Sequence, residues 1–122
     1  MREIKFRAWN KVSKCFFMWD LSFAFNGTDE LWGSVEQFTG LHDKNGQPIY
    51  EGDIVNFEGW VFFSGIIQSK KDKHEVVKWD EEKTGFFPFN FYDVSYDVYN
   101  KPGDCEIIGN IHEKPELLEA RP

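Results

Sequence analysis

Two tight-turn signals lie a few residues apart within the stretch Phe38–Val55, and together they constrain the fold of this chain more than any other feature. Asn45-Gly46 joins the two residues that most readily take positive φ, with Leu41 before it and Ile49 and Tyr50 after it. That arrangement predicts a β-hairpin closed by a type I′ turn. Pro48 has no amide hydrogen to give to a ladder, so the returning strand is expected to be short or to lie at a sheet edge. A second reversal follows at Glu51-Gly52-Asp53. Its glycine permits a left-handed backbone, and the flanking carboxylates are suited to accept nearby amide hydrogens. Ile54, Val55 and Phe57 then open a further strand.

The flanking sequence repeats this alternation of short apolar runs and turn clusters. Ile4, Phe6 and Ala8 alternate with Glu3, Lys5 and Arg7, which predicts a half-buried strand with a polar outward face. Asn10–Lys14 is a polar turn, and Cys15–Trp19 is an apolar run suited to the return strand of an N-terminal hairpin. Leu21, Phe23 and Phe25 continue the pattern until Asn26-Gly27 breaks it, and Leu31–Phe38 reads as another strand. Beyond Val55, one strand is expected over Trp60–Gln68, followed by a polar turn at Lys70–Lys73 and a return strand at His74–Trp79. An aromatic segment around Pro88 is expected to be extended. Asn100–Asp104 is a turn cluster, Cys105–Ile111 a last strand, and Pro115–Leu118 a short turn of helix opened by proline. Many short strands separated by turns define a mainly β barrel or roll.

Composition supports a folded core and narrows its chemistry. With 122 residues the chain fits one domain. Thirteen Phe, five Trp and four Tyr make that core largely aromatic. A net charge of −7 opposes broad phosphate binding, although residues 1–14 carry five cations against one acid, or +4, which leaves −11 for the remainder. Cys15 and Cys105 show no paired-cysteine spacing, so neither zinc nor redox chemistry is indicated. No apolar run approaches a membrane span, and no apolar signal core follows the charged Arg2, Glu3 and Lys5. A cytoplasmic protein with reduced thiols is expected.

Four segments in order resemble the YopX family of phage and prophage proteins. They are Lys5-Phe6-Arg7-Ala8-Trp9; Phe38-Thr39-Gly40-Leu41 with Asp43-Lys44-Asn45-Gly46; Ile49-Tyr50-Glu51-Gly52-Asp53-Ile54-Val55; and Ile107-Ile108-Gly109-Asn110-Ile111 with Pro115-Glu116-Leu117-Leu118. The resemblance implies a small SH3-like β-barrel encoded by bacterial viruses, in a bacterial host cell, and carries over no catalytic or binding residue. The expected organisation is a single domain over residues 1–122. Residues 1–37 form an N-terminal hairpin region, 38–112 the barrel, and 113–122 the C-terminal helical turn and tail.

The chemistry-bearing residues support no strong signature. Asp43, Glu51, Asp53 and Asp80 supply carboxylates for acid–base or metal work, but turn chemistry already explains their places beside glycine and asparagine. His42, His74 and His112 lack ligand spacing; no metal, cofactor or catalytic residue is expected. The leading expectation is a non-enzymatic module that binds a host or phage protein. The alternative is nucleic-acid binding through the basic N-terminal strand, with Lys5, Arg7 and Lys11 on phosphates and Trp9 stacked on a base. A small-molecule enzyme using Asp43, Glu51 or Asp53 is the third reading. The apolar residues Ile4, Phe6, Ala8, Cys15–Trp19, Phe23 and Phe25 exceed what a barrel beginning near Phe38 needs, which predicts self-association through the N-terminal region.

Overall fold

A computed structural model describes residues 3–26, 30–57, 60–63, 66–69, 74–82, 84–90, 92–93 and 98–118, with the backbone alone at 57, 60–63, 66–69, 92–93 and 98–99. The described strands are, in chain order, β1 (Lys5–Asn10), β2 (Cys15–Asp20), β3 (Glu36–His42), β4 (Pro48–Tyr50), β5 (Asp53–Phe57), β6 (Trp60–Phe63) and β7 (Ile66–Ser69). They continue as β8 (His74–Val76), β9 (Lys78–Asp80), β10 (Gly85–Phe87), β11 (Tyr92–Asp93), β12 (Val98–Tyr99) and β13 (Cys105–Asn110). Short 3-10 turns occupy Pro102–Asp104 and Pro115–Leu118. The fold is mainly β, its sheets curling as a half-barrel with an N-terminal hairpin and a short C-terminal helical turn.

The first sheet runs in the order β2-β1-β3-β4, all antiparallel. β1 and β2 pair without interruption from Lys5↔Asp20 to Asn10↔Cys15. Asn10 organises the loop between them by accepting the amides of Val12 and Ser13 at 2.9 Å each through its side chain. Beyond β1 the chain partner is the segment around Trp32, where Lys11 donates to the Leu31 carbonyl at 2.7 Å and Gly33 to the Trp9 carbonyl at 2.9 Å. The strand expected over Leu31–Phe38 is therefore an isolated bridge at Trp32 followed by β3 from Glu36 onward.

The β3–β4 hairpin forms where Asn45-Gly46 predicts it, but its turn is of another type. Gly46 donates to the Asp43 carbonyl at 3.0 Å, and of the loop residues Lys44, Asn45 and Gly46 only the glycine has positive φ, at 79°. This is a three-residue loop, a type I turn followed by a left-handed glycine. Asp43 selects it: one carboxylate oxygen accepts the amides of Asn45 and Gln47 at 2.9 Å each, an arrangement that a type I′ turn does not present. Pro48 opens a strand of three residues at the sheet edge, as its missing donor requires.

The second sheet has the order β13-β5-β8, with one extra residue in β13 between Ile107 and Gly109. Ile49, Val55, Val77, Phe86 and Cys105 form its buried core, with Leu41, Phe89 and Ile107 packed against them. Gly52 ties the segments together. It has φ 85°, the left-handed conformation that its turn requires, and it donates to the Val77 carbonyl at 2.8 Å while accepting from the Ile111 amide at 3.0 Å. The single strand expected over Trp60–Gln68 is instead the hairpin β6–β7, paired from Trp60↔Ser69 to Phe63↔Ile66. Ser64-Gly65 in the sequence is a dipeptide that permits such a reversal. The expected aromatic extended segment is β10 followed by a turn at the buried Pro88, where Phe89 donates to the Phe86 carbonyl at 2.8 Å. The expected features at Gly27, Lys70–Lys73, Phe91 and 119–122 lie outside the described residues.

Candidate functional site

β1 alternates its side chains between two faces, and both are covered where Arg7 and Trp9 stand. The expected polar outward face is corrected here: Arg7 is 5% exposed and Trp9 7%. Burial of a guanidinium is tolerable only when its donors find acceptors, above all charged ones. Arg7 Nε donates to Glu36 Oε1 at 2.8 Å, and Nη2 donates to Asp53 Oδ1 at 2.9 Å and to the Glu51 carbonyl at 3.0 Å. The guanidinium lies over the Phe16 ring at 4.1 Å and over the Tyr50 ring at 4.8 Å, stacking that a compact ammonium could not reproduce.

The remaining carboxylate oxygens are also committed. Glu36 Oε2 meets His112 Nε2 at 2.9 Å, and Asp53 Oδ2 accepts the Tyr50 amide at 2.8 Å. His112 stacks on Trp9, with ring centroids 5.4 Å apart and planes 11° from parallel, and meets the Phe16 ring edge-on. Burial pushes the Asp53 carboxyl above its ordinary value, against the pull of Arg7 and the Tyr50 amide. Every oxygen of the two carboxylates thus serves a protein donor or the His112 ring. The cluster acts as a clamp between β1, β3, the Tyr50–Asp53 turn and the residues after β13.

The residues proposed for nucleic-acid contact are not brought together on one open face. Arg7 and Trp9 belong to the buried clamp, Lys5 pairs with Glu3 at 3.0 Å, and Lys11 is exposed in the β1–β2 loop. The carboxylates proposed for catalysis have separate duties. Asp43 serves the β3–β4 loop and also accepts the Ile107 amide at 3.0 Å. Its burial raises the carboxyl, but the amides of Ile107, Gln47 and Asn45 outweigh that effect and leave it below its ordinary value. Glu51 accepts the Gln37 amide at 2.7 Å, and Asp80 accepts the Glu82 amide at 3.1 Å and the Asn90 side-chain amide at 3.2 Å. His42 is exposed beside Phe38, and His74 Nδ1 lies 2.9 Å from the Leu117 carbonyl. Among the described residues no three His, Cys, Asp or Glu side chains converge as a metal site.

Glu36 is the clamp residue that the sequence reading did not single out, and His112, weighed there only as a metal ligand, is its other partner. The available signal was Arg7 itself, a cation flanked by apolar Phe6, Ala8 and Trp9, which calls for a buried carboxylate elsewhere in the chain.

The opposite face of β1 and β2 carries an open apolar surface. Phe17 packs with Trp19, Phe23, Phe25 and Trp32 at centroid distances of 5.4 to 6.3 Å, and Trp19 stacks on Phe25 at 4.2 Å. Yet Phe17 is 39% exposed and Phe23 51%, while Leu21, just after β2, and Leu31, next to Trp32 in the chain, are exposed as well. Rings gathered this closely and still open to water form an apolar patch of the sort that meets another macromolecule.

A mainly β fold with an N-terminal hairpin clamped by Arg7 and completed by the segment after β13 defines a class of small β proteins. The chain belongs to the YopX family, whose model, described as YopX protein, matches residues 18–119. In fold it is similar to the crystal structure of protein EF1440 from Enterococcus faecalis. That likeness has 24% sequence identity and a TM-score of 0.59, covering 98% of this chain and 100% of the other. No curated protein matches the chain.

Proposed function

We propose that this protein is a non-enzymatic accessory protein of a phage or prophage, working in the cytoplasm of a bacterial host as a single-domain protein-interaction module. Its small barrel, SH3-like as the family resemblance implies, is the scaffold, and its N-terminal aromatic face is the contact surface. The observation that carries this reading is the exposure of Phe17 and Phe23 within a cluster of packed rings beside the β1–β2 sheet. Among the described residues no helix is long and apolar enough to cross a membrane. The test is affinity capture from host cytosol with the full chain and with Phe23→Asp, followed by titration of the purified partner. A saturable partner retained by the wild type and lost by the variant supports the module. No saturable partner under several growth conditions counts against it.

The nucleic-acid reading through Lys5, Arg7, Trp9 and Lys11 has less support, because Arg7 is already neutralised by carboxylates and Trp9 is covered by His112. Binding to single-stranded DNA at low salt that weakens on Lys5→Ala and Lys11→Ala would revive it.

A further inference from the structure

The exposed Phe17 ring and the exposed Met18 stand on β2, the outer strand of its sheet, with β1 on one side and no described strand on the other. An outer strand carries a row of unpaired backbone groups unless something blunts it. Within its own residues β2 lacks three of the usual protections. Cys15-Phe16-Phe17-Met18-Trp19-Asp20 contains no proline, no bulge against β1 and no charge before its last residue. Its two ends are oppositely charged, with the exposed Lys14 just before it and the exposed Asp20 closing it. Ser22 donates its hydroxyl and its amide to Asp20, which holds that carboxyl below its ordinary value. Lys5, opposite Asp20 across the hairpin, is engaged by Glu3.

Two copies of such a strand can meet antiparallel about a two-fold axis perpendicular to the sheet. The axis preserves the face on which each side chain stands, so facing residues must have the same parity. With the axis at Phe17, Phe17 faces itself, Phe16 faces Met18 and Cys15 faces Trp19, and Lys14, the left-handed turn residue (φ 58°) just before the strand, comes level with Asp20. With the axis at Phe16, Lys14 faces Met18; with the axis at Met18, it faces Ser22. Charge complementarity therefore selects one register among the symmetric ones.

We propose that the occupant of this edge is a second copy of the chain, with β2 paired to its symmetry mate in the register centred on Phe17. The inference rests on the reading of the N-terminal aromatic face as an interaction surface, and it names the partner. In this register Met18, which is 53% exposed, places its thioether beside the Phe16 ring of the second copy, and two Lys14–Asp20 pairs flank the apolar centre. The sheet continues through the axis, so the outer edge of β2 ceases to be an edge.

Sedimentation equilibrium on the full chain, with circular dichroism to confirm folding, tests the proposal. Lys14→Asp and Asp20→Lys each set like charges against one another at both ends of the pairing, and each weakens association by about tenfold or more. The double exchange restores it to within about threefold of the wild type, which a merely structural role for either residue would not do. In a Cys15→Ser background, Phe17→Cys links to itself on oxidation and Met18→Cys does not. A wild type that stays monomeric at high micromolar concentration overturns the proposal, as does a dimer indifferent to both exchanges. A monomer that still captures a host or viral protein through Phe23 overturns the register and leaves the interaction module standing. Absence of both dimer and partner removes both.

Discussion

Gly52→Ala should cost far more than Gly46→Ala, although the two glycines hold nearly the same backbone angle, φ 85° and 79°. At Gly46 an added Cβ meets nothing within 4 Å, so only the left-handed backbone is penalised, by about 1–2 kcal/mol. At Gly52 the same Cβ overlaps the Glu36 carboxylate, whose Cδ would lie 2.8 Å away. Glu36 is not free to swing aside, because Arg7 and His112 hold its two oxygens. Displacing it leaves a buried guanidinium short of one carboxylate, a loss of about 3–5 kcal/mol when a buried pair is fully broken. Gly52→Ala is therefore expected to destabilise by up to about 4–7 kcal/mol, a large part of the ~5–15 kcal/mol that holds a domain folded. Urea unfolding of both variants measures the difference. Repeating Gly52→Ala in a Glu36→Ala background should bring its cost down to that of Gly46→Ala, since the obstructing carboxylate is gone. If the two glycine variants unfold within ~0.5 kcal/mol of each other in the wild-type background, less than any of these terms, the clamp does not constrain the turn as described.

Arg7→Lys should lose most of what Arg7→Met loses, about 3–5 kcal/mol, because an ammonium cannot reach Glu36, Asp53 and the Glu51 carbonyl together; near-wild-type denaturant resistance in Arg7→Lys would refute this. Carbon-detected NMR titration should find Asp43 below and Asp53 above the ordinary Asp value of 3.8. Asp43, with its pKa depressed, contributes stability that is present above 3.8 and lost as pH falls through its folded value. The stability gap between wild type and Asp43→Asn should thus be widest near neutrality and close in acid, and a gap that widens below pH 3.8 would contradict the hydrogen-bond assignment. Asp53, with its pKa raised, works in the opposite sense: its contribution is present below 3.8 and lost as pH rises through its folded value.

Local signals made much of this fold legible. The hairpin at Asn45-Gly46, the left-handed turn at Gly52, the short edge strand after Pro48 and the 3-10 turn opened by Pro115 all follow from backbone preferences of the residues present. Where a side chain chose among turn types, the signal was subtler: Asp43 converts an expected type I′ turn into a three-residue loop by collecting two amides. The clamp was illegible for a different reason. Arg7 meets Glu36 and Asp53 across 29 and 46 positions, and Glu36 meets His112 across 76. Propensity and periodicity act over a few residues, so they mark Arg7 as anomalous on an apolar strand without saying which acids answer it. The same limit explains why β1 read as half-exposed: alternation identifies two faces, whereas distant segments decide whether both are covered.

The Ile111 amide on the Gly52 carbonyl and His112 on Glu36 carry a consequence for the order of events during synthesis. A ribosome makes Arg7, Glu36 and Gly52 well before the segment that completes their bonding. Until that segment emerges, the clamp has its acids and its arginine but lacks the imidazole and the amide that close the arrangement. Contacts so distant in sequence favour folding late and as a unit. A truncated product that stops short of Ile111 should therefore present the open aromatic strand to quality-control proteases and chaperones rather than persist as a folded fragment.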